Sequence, residues 1–263
     1  MANHFFLIKE YLNYLLKAKS AHGIHSPFVF DFIKNVLNDD RHFYAFDDIQ
    51  QLRNRLYADT TILNVEDFGA GSLLTNFKQR KINDIARTAG RNEKFGKLLF
   101  RIINRYNYEN IIELGTSLGI GTSYMASANA LSNIVSLEGS KEIAATASRN
   151  FEQMKFSNIK QVIGNFDDTL IDVLNEMKSV DLLFIDGNHR KNPTIDYFLK
   201  ALPYTHNDSM MIFDDIHWSQ GMREAWDTIR NHHAVSLSID LFYFGIVLFK
   251  QEFKEKQHFI LRY

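Results

Sequence analysis

Two regimes of apolar spacing meet near residue 109. Before it, apolar side chains recur at helical intervals: Phe5, Ile8, Leu12 and Leu15 form one stripe, and Leu98, Ile102 and Tyr106 form another within Lys94–Tyr106. That is the three-to-four-residue step of an amphipathic helix. This portion reads as mostly helical, with loop-like breaks at Ala21–Phe28, which holds Gly23 and Pro27, and at Phe68–Ser72. After it, short apolar runs alternate with helix-length segments. The runs are Asn110–Leu114, Asn133–Leu137, Ile159–Ile163, Asp181–Ile185 and Ser209–Phe213. Such alternation predicts right-handed βαβ crossovers and a buried parallel sheet. The last two runs, Val235–Leu241 and Phe244–Lys250, are separated only by Phe242 and Tyr243. That gap is too short for a crossover helix, so this pair is predicted to be antiparallel.

Composition narrows the chemistry. The chain has 263 residues and no cysteine, which excludes a disulfide framework, a thiolate nucleophile and Cys-ligated zinc or iron–sulfur sites. The length fits one large domain or a core with an appendage. A net charge of −1 gives no global field for a polyanion, so no nucleic-acid partner is expected. The opening segment breaks its apolar run at Lys9 and Glu10 and has neither the basic start nor the cleavage site of a signal peptide. No run reaches the ~18 apolar residues of a membrane span, so the expected address is the cytoplasm with no membrane partner. The charge is uneven: Lys78 to Arg105 holds nine basic residues against Asp84 and Glu93, a local +7. This is a solvated helix face or a rim that attracts an anion.

The strongest motif is Glu113-Leu114-Gly115-Thr116-Ser117-Leu118-Gly119-Ile120-Gly121, where the first strand of the alternating region turns into its first helix. Glycines there let the backbone approach a ligand, and the helix start favours an anionic group. The spacing is Gly-x-x-x-Gly-x-Gly, neither the Gly-x-Gly-x-x-Gly of dinucleotide binders nor a P-loop. Glu138 ends the next strand, placed about 20 residues past the loop to accept both hydroxyls of a ribose. Taken alone it could equally be a solvated strand end.

Together with Gly164-Asn165 and Asp181–Asp186, these residues resemble a class I S-adenosylmethionine-dependent methyltransferase. Within that class they are most similar to small-molecule O-methyltransferases of the catechol type, over about residues 94–250. The resemblance implies an α/β, Rossmann-like, doubly wound and mostly parallel seven-stranded sheet with an antiparallel C-terminal strand. It sets residues 94–263 as the methyltransferase domain and 1–93 as a helical extension, a cap supplying acceptor contacts or a dimer surface. S-Adenosylmethionine is the implied cofactor. Gly115 to Gly119, with Thr116 and Ser117 between them, would line its methionine part, Glu138 its ribose and Asn165 its adenine amine, and Glu113 and Asp186 are further expected cofactor contacts. The family's usual residue at position 165 is Asp; an amide oxygen still accepts that bond.

Asp186 closes the fourth strand, and Asp214 and Asp215 close the fifth. On neighbouring strands, ~4.8 Å apart, three carboxylates at one edge repel one another unless a hard cation such as Mg²⁺ joins them. The catechol-type enzymes hold their metal with residues matching Asp186, Asp214 and Asp215. Their lysine base is replaced here by His189, whose neutral imidazole accepts a hydroxyl proton near neutral pH. Other roles stay open: Asp215 as a helix cap, Asp186 as a cofactor or substrate contact without metal, and His189 as a loop histidine. His22 and His25 read as part of a hydrogen-bonded loop before a helix at Pro27, Trp226 as core, and His232-His233 as a helix C-terminus.

The expected function is therefore methyl transfer from S-adenosylmethionine to an oxygen of a small molecule, with Asp186 and His189 catalytic. A noncatalytic cofactor-binding or interaction module is the main alternative. An NAD-dependent oxidoreductase fits less well, because it needs the other glycine spacing. A nucleic-acid base methyltransferase would carry Asn/Asp-Pro-Pro-Tyr/Phe after the fourth strand, and the chain has no Pro-Pro.

Overall fold

A computed structural model describes residues 4–20, 23–66, 77–88 and 93–263. His22, Arg91, the loop Phe68–Ser72 and the side chain of Lys78 lie outside that description. In chain order the elements begin with α1 (His4–Lys17), α2 (Pro27–Phe32), α3 (Tyr44–Ala58), β1 (Ile62–Glu66), β2 (Phe77–Lys81), α4 (Ile82–Thr88) and α5 (Glu93–Tyr106). The alternating region follows as β3 (Asn110–Leu114), α6 (Ile120–Ala128), β4 (Asn133–Glu138), α7 (Lys141–Gln153), β5 (Ile159–Ile163) and α8 (Phe166–Met177). It continues through β6 (Leu182–Ile185), α9 (Lys191–Ala201), β7 (Met210–Phe213), α10 (Gln220–Arg230), β8 (Leu237–Asp240), β9 (Gly245–Leu248) and β10 (Gln257–Ile260). The fold is α/β and Rossmann-like, with mostly parallel strands alternating with helices. All seven strands read from the apolar runs form.

The chain divides into two compact units, Asn35–Thr169 and Met1–Lys34 with Leu170–Tyr263. In the first of these, β3, β4 and β5 pair in parallel, with Leu114 opposite Leu137 and Glu138 opposite Ile163. The C-terminal ends of the three strands therefore align. The core beside them draws Phe46, Ile49 and Leu52 from α3, Ile82 and Ile85 from α4, Phe100 from α5 and Tyr124 from α6. Residues on both sides of position 93 share this core. The portion read as helical also contains the antiparallel pair β1–β2, with Ile62 opposite Lys81.

In the second unit β6 pairs in parallel with β7, and β9 runs antiparallel to both β7 and β8. The strands Leu182–Ile185, Met210–Phe213, Leu237–Asp240 and Gly245–Leu248 are buried at every position, as the near-continuous apolar runs of covered strands require. One strand goes beyond the expected seven: β10 pairs in parallel with β8, His258 opposite Ser238. The tip of α1 reaches the same end of the chain, where the Tyr14 hydroxyl donates to the Leu261 carbonyl at 2.6 Å.

Candidate active site

The turn from β3 into α6 is built from left-handed residues. Gly115, Ser117 and Gly119 have φ of 107°, 48° and 81°, and the Gly115 and Thr116 amides both donate to the Leu137 carbonyl at 2.9 and 3.1 Å. The loop is thus tied to the neighbouring strand while its backbone is turned out of the helical path. At Gly119 a Cβ would collide with the Phe151 ring, so glycine is required by packing as well as by φ. The Leu118 carbonyl accepts from Asn150 Nδ2 at 2.9 Å, fixing the loop from α7.

Glu113 lies beneath this turn, 1% exposed. Its Oε2 accepts from the hydroxyls of Thr122 and Ser136, each at 2.5 Å, and Thr116 Oγ1 lies 2.5 Å from Ser136 Oγ. A buried carboxylate is tolerable when hydroxyls meet it. Its role here is to brace the loop from below. Glu138, at the end of β4, faces the loop directly: Oε2 accepts the Ser117 amide at 2.8 Å and Oε1 the Ser140 amide at 3.0 Å. Each carboxylate oxygen thus accepts one backbone amide, which fixes the side chain against the turn. Asn165 precedes α8, and its Oδ1 accepts the Asp167 amide at 3.2 Å while its carbonyl accepts the Asp168 and Thr169 amides. It acts as a helix cap, which the sequence reading did not include.

In the other unit, the adjacency of β6 and β7 brings the ends of the expected carboxylate strands together, and the Asp214 amide donates to the Ile185 carbonyl at 2.9 Å. Asp186 Oδ1 lies 3.7 Å from His189 Nε2. Asp214 is 1% exposed and its Oδ1 accepts the Asp215 amide at 2.7 Å; Asp215 itself takes φ 55°. Among the described residues, no group of three or more His, Asp or Glu side chains is arranged to hold a metal ion. As placed, Asp186, Asp214 and Asp215 do not fit a chelate. Asp215 does not cap the next helix either; Ser219 does, accepting the Met222 amide at 3.2 Å. Trp226 is buried as expected, His25 is exposed, and His232-His233 follow directly after the end of α10.

Sequence reading missed a buried hydrogen-bonded network just beyond β7. His217 Nε2 lies 2.8 Å from Asp240 Oδ2 and its Nδ1 3.1 Å from Glu10 Oε2, while Arg223 Nη1 donates to Glu10 Oε1 at 2.8 Å. Glu10 and Asp240 are each only 4% exposed; the Arg223 guanidinium pairs with Glu10 and the His217 ring hydrogen-bonds both carboxylates, the partners that buried carboxylates require. The His217 ring also stacks on Phe242, with centroids 5.2 Å apart.

Parallel strands alternating with helices, with a glycine turn after β3 and a carboxylate at the end of β4, make this an α/β, Rossmann-like fold. Residues 112–216 match the family model described as a methyltransferase domain. An uncharacterized protein of Acanthamoeba polyphaga mimivirus is 24% identical over 145 residues, covering 50% of this chain and 65% of that protein. The chain thus spans slightly less than two thirds of that relative's length. Among solved structures, a methyltransferase from Podospora anserina with S-adenosylhomocysteine bound superposes with a TM-score of 0.60 at 12% identity, covering 87% of this chain and 98% of that one. The O-methyltransferase TomG from Streptomyces achromogenes, in complex with S-adenosylmethionine, gives 0.56 at 18% identity, with 80% and 91% covered.

Proposed function

We propose that the protein is an S-adenosylmethionine-dependent methyltransferase that acts on a hydroxyl oxygen of a small molecule. The observation that carries this reading is Glu138: a carboxylate at the end of β4 whose two oxygens are oriented by the Ser117 and Ser140 amides, beside the glycine turn, where a carboxylate would hold the ribose of the cofactor. Support comes from the methyltransferase domain over residues 112–216 and from relatives of the same fold solved with this cofactor or its product.

Gly115, Thr116, Ser117 and Gly119 would hold the methionine part of the cofactor, with Glu113 bracing them, and Asn165 would accept from its adenine amine. When bound, S-adenosylmethionine supplies an electrophilic methyl group. The protein's own part is to orient the ribose, to position the acceptor and to take up a proton, since methyl transfer gains mainly from alignment and exclusion of water. His189 takes the hydroxyl proton at Nε2, and Asp186, 3.7 Å away, stabilises the imidazolium that forms.

Calorimetric titration with S-adenosylmethionine and with NAD tests the central assignment. Binding of the methyl donor that is lost in Glu138→Ala, with no response to NAD, is the expected result. Tight NAD binding without response to the methyl donor would overturn it. Turnover against a panel of small hydroxyl compounds, catechol included, separates an enzyme from a module that only binds the cofactor.

A further inference from the structure

The faces of α1 are exchanged relative to an ordinary surface helix. Its buried residues are polar or polar-tipped: Glu10, held by Arg223 and His217, and Tyr14, whose hydroxyl donates to the Leu261 carbonyl and accepts the Tyr263 amide. The opposite side carries Phe5, Ile8, Leu12 and Leu16, spaced to lie within one stripe, and they are 76, 60, 55 and 86% exposed. An amphipathic helix normally turns such a stripe into the core. A contiguous apolar stripe left in water marks an interaction surface.

Charge says what covers it. Lys9 and Lys17 on the helix, and Lys19 and Arg262 beyond its end, are exposed and form no ion pair with an acidic side chain among the described residues. The Lys19 carbonyl accepts the Arg262 amide at 3.0 Å, so these two cations share one end of the helix. The one acidic residue of α1, Glu10, points inward and is neutralised there. The outward surface is therefore apolar and cationic with no negative group. A second copy of α1 would set lysines against lysines, whereas an anionic lipid surface satisfies both the stripe and its charge. No described helix is long and apolar enough to cross a membrane. We propose that α1 is an interfacial anchor that docks the protein on anionic membranes, with Phe5, Ile8, Leu12 and Leu16 entering the headgroup boundary.

Flotation of the full chain with vesicles tests this independently of the enzymatic reading. With phosphatidylcholine vesicles containing about 30% phosphatidylserine, the protein should partition at least about tenfold more strongly than with phosphatidylcholine alone, and added salt should weaken it. Leu12→Ser with Leu16→Ser should reduce partitioning about tenfold or more, and Lys9→Glu with Lys17→Glu should abolish the preference for anionic lipid. All four side chains are exposed, so near-ultraviolet circular dichroism should match the parent chain. Equal or absent flotation on both vesicles would overturn the proposal. So would a dimer in sedimentation that dissociates on Leu12→Ser with Leu16→Ser.

Discussion

The Ser117 amide donates to Glu138 Oε2 at 2.8 Å, tying the glycine turn to the end of the next strand across 21 positions of sequence. The same carboxylate is the one proposed to hold the ribose, which would give it two tasks: holding the turn in shape and binding the cofactor.

That double role sets the cost of altering it. Glu138→Gln keeps the shape but removes the charge from a hydrogen bond worth about 1.5–3 kcal/mol, so affinity for S-adenosylmethionine should fall roughly ten- to hundredfold. Glu138→Ala should cost more, because the turn loses its tether as well. Calorimetry measures both, and unchanged affinity in Glu138→Ala would remove Glu138 from the site.

Gly119→Ala combines two penalties. The residue sits at φ 81°, costing an alanine about 1–2 kcal/mol, and the added methyl meets the Phe151 ring. Both stability and cofactor affinity should drop. Adding Phe151→Ala clears the ring but leaves the backbone penalty, so it should restore only part of the affinity. Urea unfolding and calorimetry on the two variants separate the contributions.

Much of the fold was legible because covered parallel strands are written as apolar runs: Asn110–Leu114 and Ile159–Ile163 fall where they were read, and the others differ by a residue or two. Two of the strands that were missed lack that signature. β2 reads FKQRK and β10 reads QHFI, with polar and charged residues of the kind that suit an exposed strand. The period of α1 revealed a helix but not the face that the rest of the chain would cover, and the stripe turned out to face water. The glycine turn and the position of Glu138 at a strand end were legible because both are local. The network from Glu10 to His217 and Asp240 joins residues 207 and 23 positions apart, and pairing of that kind leaves no local trace.

For the proton acceptor, His189→Gln should lower kcat by about 10²–10⁴, the usual contribution of a general base, while leaving affinity for S-adenosylmethionine unchanged. Asp186→Asn should act in the same direction but less strongly. With the carboxylates placed as they are, a chelator should not alter turnover. Chelator-sensitive turnover that Mg²⁺ restores and Asp214→Asn abolishes would reverse that reading.

Acid stability should report on His258. Its Nε2 accepts from Arg230 Nη1 and its Nδ1 lies 2.8 Å from Ser238 Oγ. Burial, with the Arg230 guanidinium second, pushes its pKa from 6.5 down to about 4. The folded protein therefore refuses a proton that the unfolded chain accepts between those values. Stability from this group is fully present above about 6.5 and is lost as pH falls toward 4. The ring is partly open to water, so screening reduces the effect to about 1 kcal/mol. His258→Gln can still accept from Arg230 but does not titrate. Urea midpoints followed from neutral to mildly acidic pH should fall more steeply for the parent chain than for this variant, and parallel slopes would show that His258 takes up its proton equally in both states.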